Sequence, residues 1–229
     1  MWSSVRGIIE SVTPNDAFNR RALAVFVVVW ALSCWRVSEP PQYFAMQHAP
    51  TVIAIVALVA AERKQLLNRL SFALVIAFLL LHVLGARYLY SFVPYDDWSQ
   101  SIFGFRIGER LGFQRNHYDR LVHFCFGLFF AYPLWEFFRR RAHLSGLWPS
   151  GLAICVVLAA SAVYEIAEWA TAMAFAPAWA DAYNGQQGDP WDAQCDMALA
   201  GLGAIFGAAI IELAQRTFAN PSPSSSDPR

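Results

Sequence analysis

Apolar runs long enough to cross a lipid bilayer recur along the chain, and the charges are confined to the segments between them. A spanning helix needs about 20 mostly apolar residues, fewer where flanking side chains snorkel to the interface. Six stretches meet that description, roughly 20–37, 43–61, 67–88, 119–138, 148–171 and 193–215. A backbone in hydrocarbon must satisfy its own polar groups, which makes each run a helix. Composition agrees: 57% of residues are hydrophobic and 15% charged, where soluble domains carry about 25% charged residues. The expected fold is therefore all-α, a polytopic bundle of about six transmembrane helices. Residues 1–219 form one integral-membrane domain, and the Pro/Ser-rich stretch 220–229 reads as a disordered tail. The first run reads as a retained helix rather than a cleaved leader, because about 20 residues precede it and Ala31-Leu32-Ser33-Cys34 is a poor lipoprotein cleavage site. Between the first two runs, Glu39-Pro40-Pro41 enforces a tight turn.

Arginine and lysine set the orientation. With the N-terminus inside, eleven of the seventeen basic residues lie on the cytoplasmic side. The short loops decide it. Glu62-Arg63-Lys64 and Arg139-Arg140-Arg141 are basic, whereas Pro177 to Asp196 carries Asp181, Asp189, Asp192 and Asp196 with no basic residue. Trp169, Trp179 and Trp191 suit the outer interface. Both termini are then cytoplasmic, and the protein belongs in the cytoplasmic (inner) membrane. A formal net charge of zero gives no argument for a nucleic-acid partner.

This topology assigns each polar residue a depth. Four helices bring ionisable groups to the same outer level: His82 on the third, Asp119 and His123 on the fourth, Glu165 and Glu168 on the fifth, Asp192 and Asp196 on the sixth. Residues three or four apart share a helix face, so Asp119/His123, Glu165/Glu168 and Asp192/Asp196 each form a pair. A charged side chain at membrane depth costs roughly 2.5–3.5 kcal/mol on insertion scales and normally faces the bundle interior. The Gly-Gln-Gln-Gly-Asp-Pro segment at 185–190 is a turn placed to cover the mouth of the cluster.

Three readings of the cluster stand open. His82, His123, Glu165, Asp192 and Asp196, with Glu168 beside them, have the mixed imidazole–carboxylate chemistry of a divalent-metal site built between helices. Such a metal would serve an enzyme acting on an envelope lipid or lipid-linked substrate. Without metal, His123, Asp119, Glu165 and Glu168 suit general acid–base catalysis or a proton relay, the relay belonging to a proton-coupled carrier. In the third reading the acids pair with Arg87, Arg115 and Arg120 in a structural network. Arg115 and Arg120 are also the candidates for gripping a substrate phosphate. A transporter should show internal repeats, and the two halves show none. The membrane lipids themselves are the certain surroundings.

Elsewhere the sequence is plainer. The four cysteines make no CxxC pair, which leaves no disulfide framework and no zinc motif. Gly201, Gly203 and Gly207 mark close helix packing on the last helix. Glu136 with Arg139 and Arg140, and Glu212 with Arg216, suit ion pairs at cytoplasmic helix ends. His48 lies at the level of the cluster. The stretch from Asp97 to Arg110 is placed to form a short interfacial helix or lid.

Several blocks resemble the YjdF-like family of bacterial inner-membrane proteins. They are His82 with Gly85-Ala86-Arg87-Tyr88, Val93-Pro94-Tyr95 and Trp98; Asn116 to Phe124 with Gly127; Tyr164-Glu165 with Glu168-Trp169; and Gln187 to Gln194 with Asp196-Met197. Arg87 stands where the family pattern leads one to expect a second histidine. Asp119-Arg120-Leu121-Val122-His123-Phe124 is also similar to a block of VanZ-like membrane proteins, which are associated with glycopeptide resistance. Both resemblances imply the same helical membrane architecture and the same polar residues. Neither implies a reaction.

Overall fold

In a computed structural model the described residues are 17–35, 41–175 and 186–219, and among them the ordered elements are all helical. In chain order they are α1 (Ala17–Ser33), α2 (Pro41–Arg63), α3 (Arg69–Arg87), α4 (Tyr95–Phe103), α5 (Ile107–Leu111), α6 (Tyr118–Arg140), α7 (Trp148–Phe175) and α8 (Asp192–Ala219). Among the described residues five helices are long and apolar enough to cross a membrane: α2, α3, α6, α7 and α8. The expected first span ends earlier than its apolar run suggested, since α1 has only 17 residues and stops at Ser33. The turn at Glu39-Pro40, residues Asp181 and Trp179, and the tail 220–229 lie outside the described residues.

The outward faces are apolar. Val28, Leu32, Ile53, Val56, Val163, Ile166, Ile210 and Leu213 are all exposed, a continuous apolar surface that soluble monomers rarely tolerate and that lipid accepts. Inside, Phe26 of α1, Leu58 of α2 and Phe72, Val75, Leu79 and Val83 of α3 make one core. Val157 of α7 packs with Ala200 and Ala204 of α8 in another.

The most intimate contact is the crossing of α6 and α8, made by small residues as membrane helix pairs require. A Cβ on Gly127 would lie 1.9 Å from the Ala200 carbonyl oxygen, and one on Gly203 would lie 2.0 Å from the Phe124 carbonyl oxygen. Backbone therefore touches backbone from both sides. Of the three glycines singled out in the sequence, Gly203 and Gly207 face α6, while Gly201 faces Leu158 of α7.

Two sets of polar contacts mark the two ends of the bundle. At one end Asn68 caps α3, accepting from the Ser71 N–H at 2.8 Å, and its amide nitrogen donates to Tyr132 Oη at 2.9 Å. Glu136 accepts from the Asn68 N–H at 3.2 Å and from Ser71 Oγ, and pairs with Arg140 at 3.1 Å. Arg141 donates to the Gln65 carbonyl at 3.0 Å. The basic residues near 63–69 and 139–141 thus share one end, as their charge pattern implied. Glu212 accepts from Ser150 Oγ of α7 at 2.6 Å. At the opposite end Arg87 donates to the carbonyls of Ser33 and Trp35, placing a cation at the end of α1 and on the turn just beyond it. The departure at position 87 therefore has a structural role.

Between α3 and α6 the chain forms the short helices α4 and α5, in the stretch expected to hold an interfacial helix. Asp96 accepts from the Gly108 N–H at 2.7 Å, and Arg106 bridges to Asp97 at 2.8 Å and Glu109 at 3.3 Å. Leading into them, Leu89 and Tyr90 take φ of 49° and 54°, a conformation costly for residues with a side chain. It is held by the Tyr90 N–H on the Gly85 carbonyl at 2.8 Å and by the Tyr90 ring lying over Gly85. A Cβ at Gly85 would meet that ring at 2.6 Å.

Candidate functional site

The crossing of α6 and α8 builds the site. His123 lies one turn before Gly127, and Asp196 one turn before Ala200, so the contact that joins the backbones also brings these side chains together. Asp119, His123 and Asp196 are buried, and each offers a ligand atom lying within 4.8 Å of the other two. The Asp119/His123 pair meets as its four-residue spacing predicted, with Nε2 to Oδ1 at 3.7 Å. From α7, Glu165 brings Oε1 to 3.3 Å from the same Nε2. That contact is not aligned as a hydrogen bond, and both Glu165 Oε1 and Asp196 Oδ1 are buried without a hydrogen-bond partner. Tyr164 presents its ring edge-on to His123 with centroids 6.0 Å apart. Glu168 is half-buried and within Coulomb reach of Asp119, Glu165, Asp192 and Asp196.

The two arginines go elsewhere. Arg115 donates to the Asp192 carboxylate and, at 2.6 Å, to the Gln186 carbonyl. Arg120 donates to Asp189 at 2.5 Å, with Asp192 3.7 Å away. Both forks thus grip α8's N-terminal turn and the loop before it. Asn116 and Gln187 complete the clasp, each accepting from the other: the Asn116 N–H donates to Gln187 Oε1 and Gln187 Nε2 donates to the Asn116 carbonyl, both at 2.9 Å. This is the pairing that the structural-network reading expected of Asp192, and it draws in the loop residue Asp189 as well. In the inner group of Asp119, Glu165, Glu168 and Asp196, His123 is the basic side chain in contact with the acids, with Arg120 within Coulomb reach of Asp119 and Asp196.

His82 is not brought to this group. Its Nδ1 bonds Tyr90 Oη at 2.5 Å and its Nε2 bonds Thr51 Oγ1 at 3.0 Å, which occupies both ring nitrogens. His48 also sits apart, accepting at Nδ1 from Trp30 Nε1 at 3.1 Å. Depth along a helix was legible in the sequence, whereas the direction each ring faces was not.

Outside the spans, the surroundings of Asp189 and His117 move both groups from their ordinary values. The Trp191 N–H on Asp189, followed by Arg120 and Arg115, holds that carboxyl below its usual range. Burial, and then Arg120 and Arg115, hold the His117 imidazole below its usual value. That ring stacks on Phe113 with centroids 4.0 Å apart.

Sequence reasoning missed the Asn116–Gln187 clasp, the Thr51–His82–Tyr90 chain and Ser161, whose buried Oγ has no hydrogen-bond partner. A turn at 185–190 was legible; the pairing of its amides with residue 116 had no local signal. Ser161 lies one helical turn from Glu165 on α7, a spacing that could have drawn attention to it.

A bundle of apolar-faced helices with a carboxylate–histidine group at one end defines a polytopic helical membrane protein. The chain belongs to the family described as predicted membrane protein (DUF2238), whose model matches residues 18–217. It is 37% identical over 161 residues to the inner membrane protein YjdF of Escherichia coli (strain K12), covering 70% of this chain and 73% of that one. No solved structure matches. The resemblance read from the residue blocks is borne out, and the chain is a multi-pass protein of the inner membrane.

Proposed function

We propose that this protein is a divalent-cation-dependent enzyme acting on the polar end of an envelope lipid or lipid-linked substrate at the extracytoplasmic face. One observation carries the reading. Asp119, His123 and Asp196 offer ligand atoms within 4.8 Å of one another, beside carboxylate oxygens of Glu165 and Asp196 that have no hydrogen-bond partner. Buried acids with one histidine among them call for a counter-cation, and imidazole plus carboxylate is a donor set for a first-row divalent metal. Arg115 and Arg120, the nearest arginines, direct their terminal nitrogens to Asp192 and Asp189 rather than to the inner acids.

A cation held by Asp119, His123 and Asp196 supplies Lewis acidity toward a phosphoryl or carbonyl oxygen. Glu165 stands 3.3 Å from His123 as the acid–base partner, with Glu168 further out on the same face. The positive-inside rule supports the extracytoplasmic assignment, because Arg63, Lys64, Arg69 and Arg139 to Arg141 gather at the end away from the site.

Elemental analysis of the purified protein beside an Asp119→Asn/Asp196→Asn variant of equal folded yield tests the reading. Close to one equivalent of a divalent metal in the first and none in the second is expected. Equal metal content in the two, or none in either after purification with divalent ions present, would remove the cation from the account.

A further inference from the structure

A cavity of about 590 Å³, inside the roughly 300–1,000 Å³ range of small-molecule sites, runs from the acidic cluster into the apolar interior. Its walls come from four helices. Val75, Phe78 and Leu79 of α3 and Phe126, Phe130 and Leu134 of α6 form the back. Ala54, Ala57 and Ala61 of α2 form one side, and Ala160 and Ser161 of α7 the other. Among the described residues α3 and α6 pack together, while α2 and α7 make no extensive contact with each other, which leaves the side between them open. Polar groups collect at one end, where Asp119, His123, His82, Tyr90 and Tyr164 line it.

Length distinguishes the occupants. Along α6 the lining runs from Asp119 to Phe137, which at about 1.5 Å per residue is about 27 Å. The hydrocarbon core of a bilayer is about 30 Å thick, so an acyl chain confined to one leaflet would fill about half of this slot, whereas a C55 polyprenyl chain, longer than the slot, fills its whole length and leaves its far units in the surrounding lipid. From these observations we infer that the cavity is a binding site for a long-chain polyprenyl-type lipid phosphate, its tail lying between α2 and α7 and its phosphate at Asp119 and His123. The inference rests on the cation reading at one point: a phosphate among carboxylates needs a cation between them. The tail site itself does not.

The small side chains of Ala57 and Ala160 stand on the two flanks of the opening and offer the test, Ala57 on the helix that carries none of the clustered acids. Detergent-purified protein is mixed with a C55 polyprenyl phosphate or with a diacyl phosphatidylglycerol, and bound lipid is read by native mass spectrometry. Metal content and melting temperature are measured on the same samples. Wild type is expected to retain the polyprenyl phosphate at least tenfold over the phospholipid. Ala57→Trp and Ala160→Trp should each lose that preference, and Ala57→Trp should do so with unchanged metal content and melting. A smaller blocking pair, Ala57→Leu and Ala160→Leu, gives the same reading if a tryptophan variant fails to fold. Equal retention of the two lipids, retention of neither, or retention that survives blocking in a folded variant would overturn the tail site. If the tail site holds and no metal is found, the cation reading fails alone.

Discussion

Adding one methyl group at the α6–α8 crossing should open the site without touching any of its residues. In Gly203→Ala the new Cβ would stand 2.0 Å from the Phe124 carbonyl oxygen, and in Gly127→Ala 1.9 Å from that of Ala200. Ordinary contact begins near 3.4 Å, so the helices must part locally by about 1.4 Å or 1.5 Å. Neither clash can be relieved by a rotamer, because both partners are backbone. Overpacking a close-fitted interior costs typically 1–3 kcal/mol, and each variant should lose about that much. The motion separates Asp196 on α8 from Asp119 and His123 on α6, whose ligand atoms now fit within 4.8 Å. Cation affinity should therefore fall by about tenfold or more, since disturbing the groups that orient a metal's ligands typically costs about 10–100-fold. The double variant should cost little more than either single one, because a gap opened once accommodates both methyls. Gly201→Ala is the control: its Cβ would meet Leu158 Cδ2 at 2.7 Å, the movable end of a side chain. Reversible unfolding in mixed micelles gives the stability, and titration with manganese gives the affinity. Unchanged stability in Gly127→Ala and Gly203→Ala, or losses that simply add in the double variant, would refute the argument.

Two further outcomes are expected. A double-mutant cycle pairing His82→Phe with Tyr90→Phe should give a coupling of about 0.5–2 kcal/mol, the scale of hydrogen bonds inside membrane proteins, with metal content unchanged in both; lost metal in His82→Phe would show that ring to be a ligand. Asp189 is held below the ordinary carboxyl value by the Trp191 N–H and then Arg120, so its grip on the loop is complete above that ordinary value and is lost as pH falls through the depressed one. Hydrogen exchange at the Trp191 amide, corrected for its intrinsic pH dependence, should show protection near neutrality that disappears in acid, and protection independent of pH would contradict the assignment.

Most of the fold was legible because lipid leaves so few choices. Residues 67–88 read as a span and α3 occupies Arg69–Arg87; residues 148–171 read as a span and α7 occupies Trp148–Phe175. The first helix is where hydropathy falls short, because an apolar pattern does not mark where α1 ends and Arg87 meets its last carbonyl. In the site, helical spacing paired Asp119 with His123, and matched depth brought Asp196 and Glu165 to them. Matched depth also suggested His82, whose ring turns instead toward Thr51 and Tyr90. Azimuth depends on how helices pack, and that information lies in contacts such as Gly127 on Ala200, between residues far apart in the chain. The arginines illustrate a second limit. Their charge was plain in the sequence, but whether they would meet a substrate phosphate or the loop acids depended on where residues 186–192 fold back.

The central claim is that His123 shares a divalent cation with Asp119 and Asp196. Pulsed electron paramagnetic resonance of the manganese-loaded protein reads this directly, because a bound imidazole nitrogen couples to the manganese spin. A nitrogen coupling present in wild type and in His82→Gln, and absent in His123→Gln, is the predicted result. Tightly bound manganese with no nitrogen coupling, or a coupling indifferent to His123, would contradict it.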